Sequence, residues 1–578
     1  MTDGTSGEPR AAARMASTWC GRHPNRGSPA QSRAMSPESA APGTPIGSYA
    51  RRVKSDPDRA HIRLAELLAA LSLGIDLGFG QPMEHVLRQC LIALRLAELA
   101  GLDDQHRAVV YYTALLINIG CHTDAHEQAK WFGDDIAVKA VKYAHAPGLG
   151  AAAAGMRRLG AGNPAVHRFR LGLEFALSGH REVDDMFTHH AEMAMLFGEQ
   201  LGLPEPVTRA LSAAYEQWDG RGWPGKLKGQ EVPVASRLGQ LAEFVEVAHR
   251  LQGVEGAKQL ARKRLGKQFD PSLARLFCDR AETILFDLDS IATWQAVIDA
   301  EPGLAVELSE ETFDAALVAI ANFVDLKSPY FLGHSSAVAE LVTAASALMG
   351  LTEVEQGELR RAALVCGLGR LGVSNAIWDK RGPLGAGERE RARMHPYLTE
   401  RMLRQSEALA PMAAIAVQHR ERLDGSGYPR GLAGGMISRS ARILAVADVY
   451  QAMRESRPHR PALTPTAAAA QLRGEVKAGR LDADAVEAVL GAAGHRVLRR
   501  PEGSAGLTPR EVEVLRLLVR GLQNRGIAEQ LVITPKTVEN HVEHIYAKIE
   551  ASNRAGASLF AMRHGLFPEE QLVAYAAV

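Results

Sequence analysis

The sequence is short of cysteine pairs, of net charge and of long apolar runs, and each shortage removes a class of protein. Its five cysteines, Cys20, Cys90, Cys121, Cys278 and Cys366, are scattered along the chain. None forms a CxxC pair, which excludes a zinc ribbon and a disulfide framework and points to a reducing, cytoplasmic setting. The formal net charge is +1, so any contact with nucleic acid has to come from a local surface. No apolar run approaches the ~18 residues of a membrane-spanning helix. The N-terminus has arginines but no apolar core, unlike a secretory signal, and Met35 offers a second candidate start. Period-two alternation is scarce, so strands have little to form from.

What remains is helical and repetitive. At 578 residues the chain exceeds one core and calls for several domains. Residues 1–58 are rich in Ala, Pro, Ser, Gly and Arg without helical periodicity, a composition expected to stay disordered. From Ile62 onward Leu/Ala/Glu/Arg segments alternate with Gly and Pro. Within them Asp219-Gly220-Arg221-Gly222-Trp223-Pro224 returns as Asp424-Gly425-Ser426-Gly427-Tyr428-Pro429. Leu227, Gly229, Arg237 and Ala242 recur in that register as Leu432, Gly434, Arg442 and Ala447, and His190 as His395. In a second register His85 matches His334 and Gly120 matches Gly369, so the first copy carries an insertion between Gly120 and His190. The spacing predicts two copies of one helical domain, over residues 59–300 and 305–495. A linker at 496–505 and a small helical unit at 506–570 complete an all-α chain.

The last unit reads as a helix-turn-helix. Thr508-Pro509-Arg510-Glu511 is a capping box with proline at the first helical position. A short second helix holds Ile527, Ala528 and Leu531, and Thr534-Pro535 opens a third. In the third, Val538, Val542, Ile545 and Ile549 form a core stripe at helical spacing. Lys536, Thr537, Asn540, His541, His544 and Lys548 populate the other face, a set of side chains suited to base edges and phosphates in a major groove. Leu507 to Glu511, Val514-Leu515, Asn524, Ile527-Ala528, Lys536 to Val542, Ile545-Tyr546, Lys548 and Asn553-Arg554 resemble the LuxR-type helix-turn-helix family. That resemblance implies that Lys536, Thr537, Asn540, His541 and Lys548 face DNA and that the active form is a homodimer. Gln523 departs from the family's capping serine, and Gly526 replaces a better helix former.

The Asp424–Pro429 string, with His395-Pro396, Ala447-Asp448, Leu371-Gly372-Val373 and Arg457-Pro458-His459-Arg460, resembles the HD-GYP phosphohydrolases. The resemblance implies an all-helical HD fold that hydrolyses phosphodiesters, often cyclic di-GMP, with clustered metal ions. It places His334, His395, His419 and Asp448 at ligand positions. The defining His-Asp pair, however, reads Cys366-Gly367, the second histidine of the His-His pair reads Arg420, and the following lysine reads Arg370. Glycine has no side chain with which to bridge two metals, so no catalytic residues are assigned. Cys366 as a thiolate leaves room for a single divalent ion with the remaining ligands, although no cofactor is expected. In the first copy these positions read Ile117-Asn118, Ala214-Tyr215 and Glu243, leaving His85 and His190. Cys121, His122, Asp124, His126 and Glu127 form a metal-like run that reads as a solvated turn.

The expectation is thus a cytoplasmic, DNA-binding transcriptional regulator with a degenerate HD-GYP-like sensory or dimerisation region. It would act as a homodimer, with DNA and an unidentified small-molecule or protein signal as partners and without a membrane. The alternative is a metal-dependent phosphodiesterase, acting on a cyclic-dinucleotide-like substrate, with a DNA-binding tail.

Overall fold

The computed structural model describes residues 62–144, 157–160, 165–175, 177, 180–303, 306–495, 506–549, 551, 554–563 and 566. The expected disordered segment 1–58 and linker 496–505 lie outside the described residues. Among those described there are helices and isolated bridges but no strand, and no helix is long and apolar enough to cross a membrane. The chain divides into two compact units, one ending at Ala493 and one starting at Gly494.

In the large unit the helix boundaries repeat. The first copy runs through α1 (Leu64–Gly78), α2 (His85–Leu99), α3 (Asp104–Leu116), α4 (Ala125–Phe132), α5 (His180–Gln200), α6 (Glu205–Ser212) and α7 (Val234–Arg264). The second runs through α8 (Glu310–Asp325), α9 (His334–Leu348), α10 (Glu353–Val365), α11 (His395–Leu403), α12 (Ala410–Ala416) and α13 (Arg439–Arg454). α2 and α9 are both 15 residues long and start on the paired histidines. α3 and α10 are both 13 residues long and start on capped acidic residues. Asp103 accepts from His106 N in one, and Thr352 forms a capping box with Glu355 in the other.

The repeated glycines mark where backbone meets backbone. A Cβ on Gly120 would lie 1.9 Å from the His190 carbonyl oxygen, and one on Gly369 would lie 2.0 Å from that of His395. A side chain at either position would push away the helix that carries the site histidine.

The two copies share one apolar core. Phe197 of α5 packs against Phe323 of α8 with ring centroids 4.9 Å apart, and Gly74 of α1 receives Leu371 and Met402 of the second copy. At the seam stands Asp135, fully buried. It accepts from Ser374 Oγ and Asn375 N, both at 2.8 Å, from Lys327 Nζ at 3.2 Å and from Lys139 Nζ at 3.3 Å.

The metal-like run of the first copy is part of this seam and not a solvated turn. His122 is fully buried and Cys121 nearly so. Asp124 pairs with His190 Nε2 at 2.7 Å, and His126 Nδ1 meets Asp379 Oδ2 at 2.8 Å. Asp124 is paired within the first copy and His126 across to the second, a partnering that local composition does not distinguish from exposure.

The small unit comprises α14 (Pro509–Val519), α15 (Asn524–Leu531), α16 (Pro535–Lys548) and α17 (Arg554–Arg563) around Leu507, Val514, Leu515, Ile527, Val538 and Ile545.

Candidate ligand clefts and DNA-binding face

In the second repeat the retained ligand positions converge on Asp448, fully buried near the middle of α13. His334, at the start of α9, brings Nε2 to 3.2 Å from Asp448 Oδ1 and Nδ1 to 2.9 Å from Glu455 Oε2. His395 and His419 face each other. Their Nδ1 atoms lie 2.6 Å from the Ala392 carbonyl and 2.7 Å from the Ala416 carbonyl. A carbonyl only accepts, so each Nδ1 holds the proton and each Nε2 is a bare lone pair. The two bare nitrogens are 3.2 Å apart. Burial, reinforced by His419 and Arg420, holds His395 well below the usual imidazole range. Burial and Arg420 bring His419 down to about 3.

The space a metal would need beside Asp448 holds guanidinium groups. Arg420 Nη2 lies 2.9 Å from Asp448 Oδ2 and 3.2 Å from Oδ1, and Arg370 Nη2 lies 3.7 Å from Oδ1. Burial pushes the Asp448 carboxyl up, but Arg420 and then His334 outweigh it and hold the group well below the carboxylate range. Arg370 also lies against Gly367, where a Cβ would meet its Nη1 at 3.2 Å and its Cζ at 3.3 Å. Cys366 is no thiolate. Burial pushes its thiol up to about 12, and Sγ donates to the Ala363 carbonyl at 3.2 Å.

The HD-GYP resemblance calls for a cluster of metal ligands, and the residues present do not fit one. Among the described residues no three or more His, Cys, Asp or Glu side chains are placed to share an ion. His334 meets Asp448 and His395 meets His419, but Arg420 and Arg370 crowd the remaining face of Asp448.

The first repeat shows the same geometry with other residues. Glu243 and Asn118 occupy the positions of Asp448 and Gly367. Asn118 Nδ2 donates to Glu243 Oε1 at 2.9 Å, as does the Tyr143 hydroxyl at 2.9 Å. Lys142 Nζ reaches both, 2.5 Å from Glu243 Oε1 and 3.0 Å from Asn118 Oδ1. His85 pairs with Glu246 at 2.5 Å. Sequence reasoning missed Lys142, Tyr143 and Glu455. Glu455 lies about two helical turns after Asp448, a spacing that signals a shared face. Lys142 has no such signal, because it lies between Gly120 and His190, where the two copies differ in length and the register is lost.

In the small unit, α16 separates as its periodicity implies. Val538 and Ile545 are fully buried, while Lys536, Asn540, His544 and Lys548 are exposed and Thr537 and His541 half-buried. Thr534 caps α16 by accepting from Thr537 N at 3.1 Å. Lys536 Nζ donates to Glu539 of its own helix, at 2.9 Å. Lys548 Nζ donates to both oxygens of Glu511, at 2.6 and 2.9 Å, so its charge is already matched across the helix bundle. Gln523 provides no side-chain cap to α15.

Residues 319–485 match the HD domain family, and residues 505–561 match the bacterial regulatory proteins of the luxR family. The chain thus joins a segment that matches the HD domain family to one that matches the luxR family. It is 29% identical over 405 residues to the 3'3'-cGAMP-specific phosphodiesterase 3 of Vibrio cholerae serotype O1, across 69% of this chain and 88% of that protein. A stretch of 405 residues is longer than either repeat, so both repeats take part in that likeness. The chain is also 36% identical over 188 residues to the cyclic di-GMP phosphodiesterase response regulator RpfG of Xanthomonas campestris pv. campestris, spanning about half of it, 48%. The crystal structure of a cyclic GMP-AMP specific phosphodiesterase of V. cholerae superposes with a TM-score of 0.53 at 25% identity, covering 75% of this chain and 98% of that one. The matched segment therefore has phosphodiesterases among its relatives, while its own cleft carries Arg420 at one ligand position of the HD-GYP resemblance and Arg370 beside it.

Proposed function

We propose that the chain is a cytoplasmic, DNA-binding transcriptional regulator that acts as a homodimer, with the paired HD-like repeats as its sensory or dimerisation region. The observation that carries this reading is the outer face of α16. Lys536, Thr537, Asn540, His541 and His544 lie opposite a core of Val538 and Ile545, within the segment that matches the luxR family. Such a face donates hydrogen bonds to base edges and phosphates. A signal bound by the repeats can control it only by binding two states of the chain with different affinity. The names of the relatives make a cyclic dinucleotide the first ligand to test.

Selection of chromosomal fragments by the purified chain, followed by sequencing, tests the reading. Specific fragments are expected, with affinity that falls steeply as salt rises. Lys536→Ala is expected to weaken binding to all fragments, and Asn540→Ala to relax sequence preference by about 1–3 kcal/mol. Binding that ignores salt and both substitutions would leave α16 a protein-contact helix.

One observation favours a second reading, a phosphodiesterase with a DNA-binding tail: His395 and His419 keep Nε2 atoms bare and adjacent, in a chain whose relatives are named as phosphodiesterases. Incubating the purified chain with 3'3'-cGAMP or cyclic di-GMP and manganese separates the two. Turnover that Asp448→Ala abolishes would establish the enzyme.

A further inference from the structure

We infer that each repeat has replaced its metal with a side-chain cation of its own: Arg420, backed by Arg370, in the second repeat, and Lys142 in the first. In an HD-type cleft a buried carboxylate must be neutralised, and a divalent ion does this while joining ligands from separate helices. Here the carboxylates are Asp448 and Glu243, one fully and one nearly fully buried. Each is met by a cation from another segment at ion-pair distance, Arg420 at 2.9 Å and Lys142 at 2.5 Å.

The replacements are correlated with their surroundings. Position 367 is glycine where Arg370 lies against the backbone, and any Cβ there would press on the guanidinium. Position 118, its counterpart, is asparagine, which accepts from Lys142 and donates to Glu243. Lys142 thus touches both positions that the HD-GYP resemblance assigns to metal-binding aspartates. It also lies 4.4 Å from the Phe79 ring centroid, a face that favours a cation. It is supplied by the stretch between Gly120 and His190, which is longer than its counterpart between Gly369 and His395. The longer stretch of the first copy delivers its cation, and two point changes deliver the second's. The repeats are therefore metal-free by construction, whether or not the small unit binds DNA.

The purified full-length chain tests this through metal content and melting temperature, readouts independent of DNA binding. Wild type is expected to carry no stoichiometric metal and to melt unchanged with EDTA, zinc or manganese. Arg420→His opens the cleft to His334, His395, His419 and Asp448, and is expected to take up about one equivalent of zinc and to melt higher with it. In the first repeat Lys142→Met leaves Glu243 buried without its cation, so the melting temperature falls. Lys142→Met with Glu243→Gln recovers most of that loss, and Lys142→Arg loses little. If Lys142→Met does not fold, recovery of a folded chain by the double substitution supports the same pairing. Stoichiometric metal in wild type whose removal lowers the melting temperature would overturn the inference. So would Arg420→His binding no more zinc than wild type, or Glu243→Gln adding to the loss from Lys142→Met.

Discussion

Cys366 and Arg420 both stand at ligand positions of the HD-GYP resemblance, and their surroundings exclude them from that role for different reasons. Arg420 brings a charge of the wrong sign. Cys366 has suitable chemistry as a thiolate, but only one that can lose its proton. Buried at 1% exposure and donating to Ala363 at 3.2 Å, it stays a thiol throughout the neutral range. Iodoacetamide applied to the native chain at pH 8 is therefore expected to leave Cys366 unmodified while labelling Cys278, whose side chain is only partly buried; peptide mass spectrometry reads this directly. Labelling of Cys366 at the rate of Cys278 would restore it as a candidate ligand. The identities of Cys366, Gly367 and Arg420 were legible in the sequence and already argued against a bridged metal pair. The burial that silences the thiol was not, because it depends on helices far apart in the chain.

Among the elements, the helix-turn-helix was the most legible, since its core stripe, capping box and third helix all follow from local spacing. The capping box of α14 is present, with Glu511 N accepted by Thr508 Oγ1 at 3.2 Å. Tertiary pairing was not legible: Glu511 also holds Lys548, 37 residues downstream, and periodicity along α16 says nothing of a partner on α14. The cap of α15 is the weak element. Gln523 has cap geometry but makes no cap hydrogen bond, so an amide at the start of that helix goes without a side-chain partner. Gln523→Ser is expected to stabilise the small unit by about 1 kcal/mol. Slower hydrogen exchange of the amides in α15 within the full-length chain would register this. Unchanged exchange would mean that solvent already satisfies the helix start.

For the molecule as a whole, the sequence divided the large unit into two tandem copies, and the structure joins them through a shared core with Asp135 at the seam. Asp135 lies between Gly120 and His190, where the two copies differ in length, and no repeat or motif announced it. Its carboxyl is pushed up by burial, yet Lys327 and Lys139 outweigh that and hold it far below the usual range. Lys327, itself fully buried, is pulled down by burial against the opposing effect of Asp135. Asp135→Ala would leave Lys327 without its carboxylate, at a cost of about 3–5 kcal/mol. Without Asp135 the lysine's folded-state pKa falls further below its unfolded value of about 10.4. Below the depressed pKa both states hold the proton and the variant shows its full deficit. Between the two values the unfolded chain binds more protons than the folded one, so stability rises with pH. The variant is therefore expected to melt far below wild type near neutrality and to regain part of the difference as pH approaches 10. Urea unfolding at a series of pH values measures the slope. A deficit independent of pH would mean that the two repeats are held together by their apolar core and that the buried ion pairs only record where they meet.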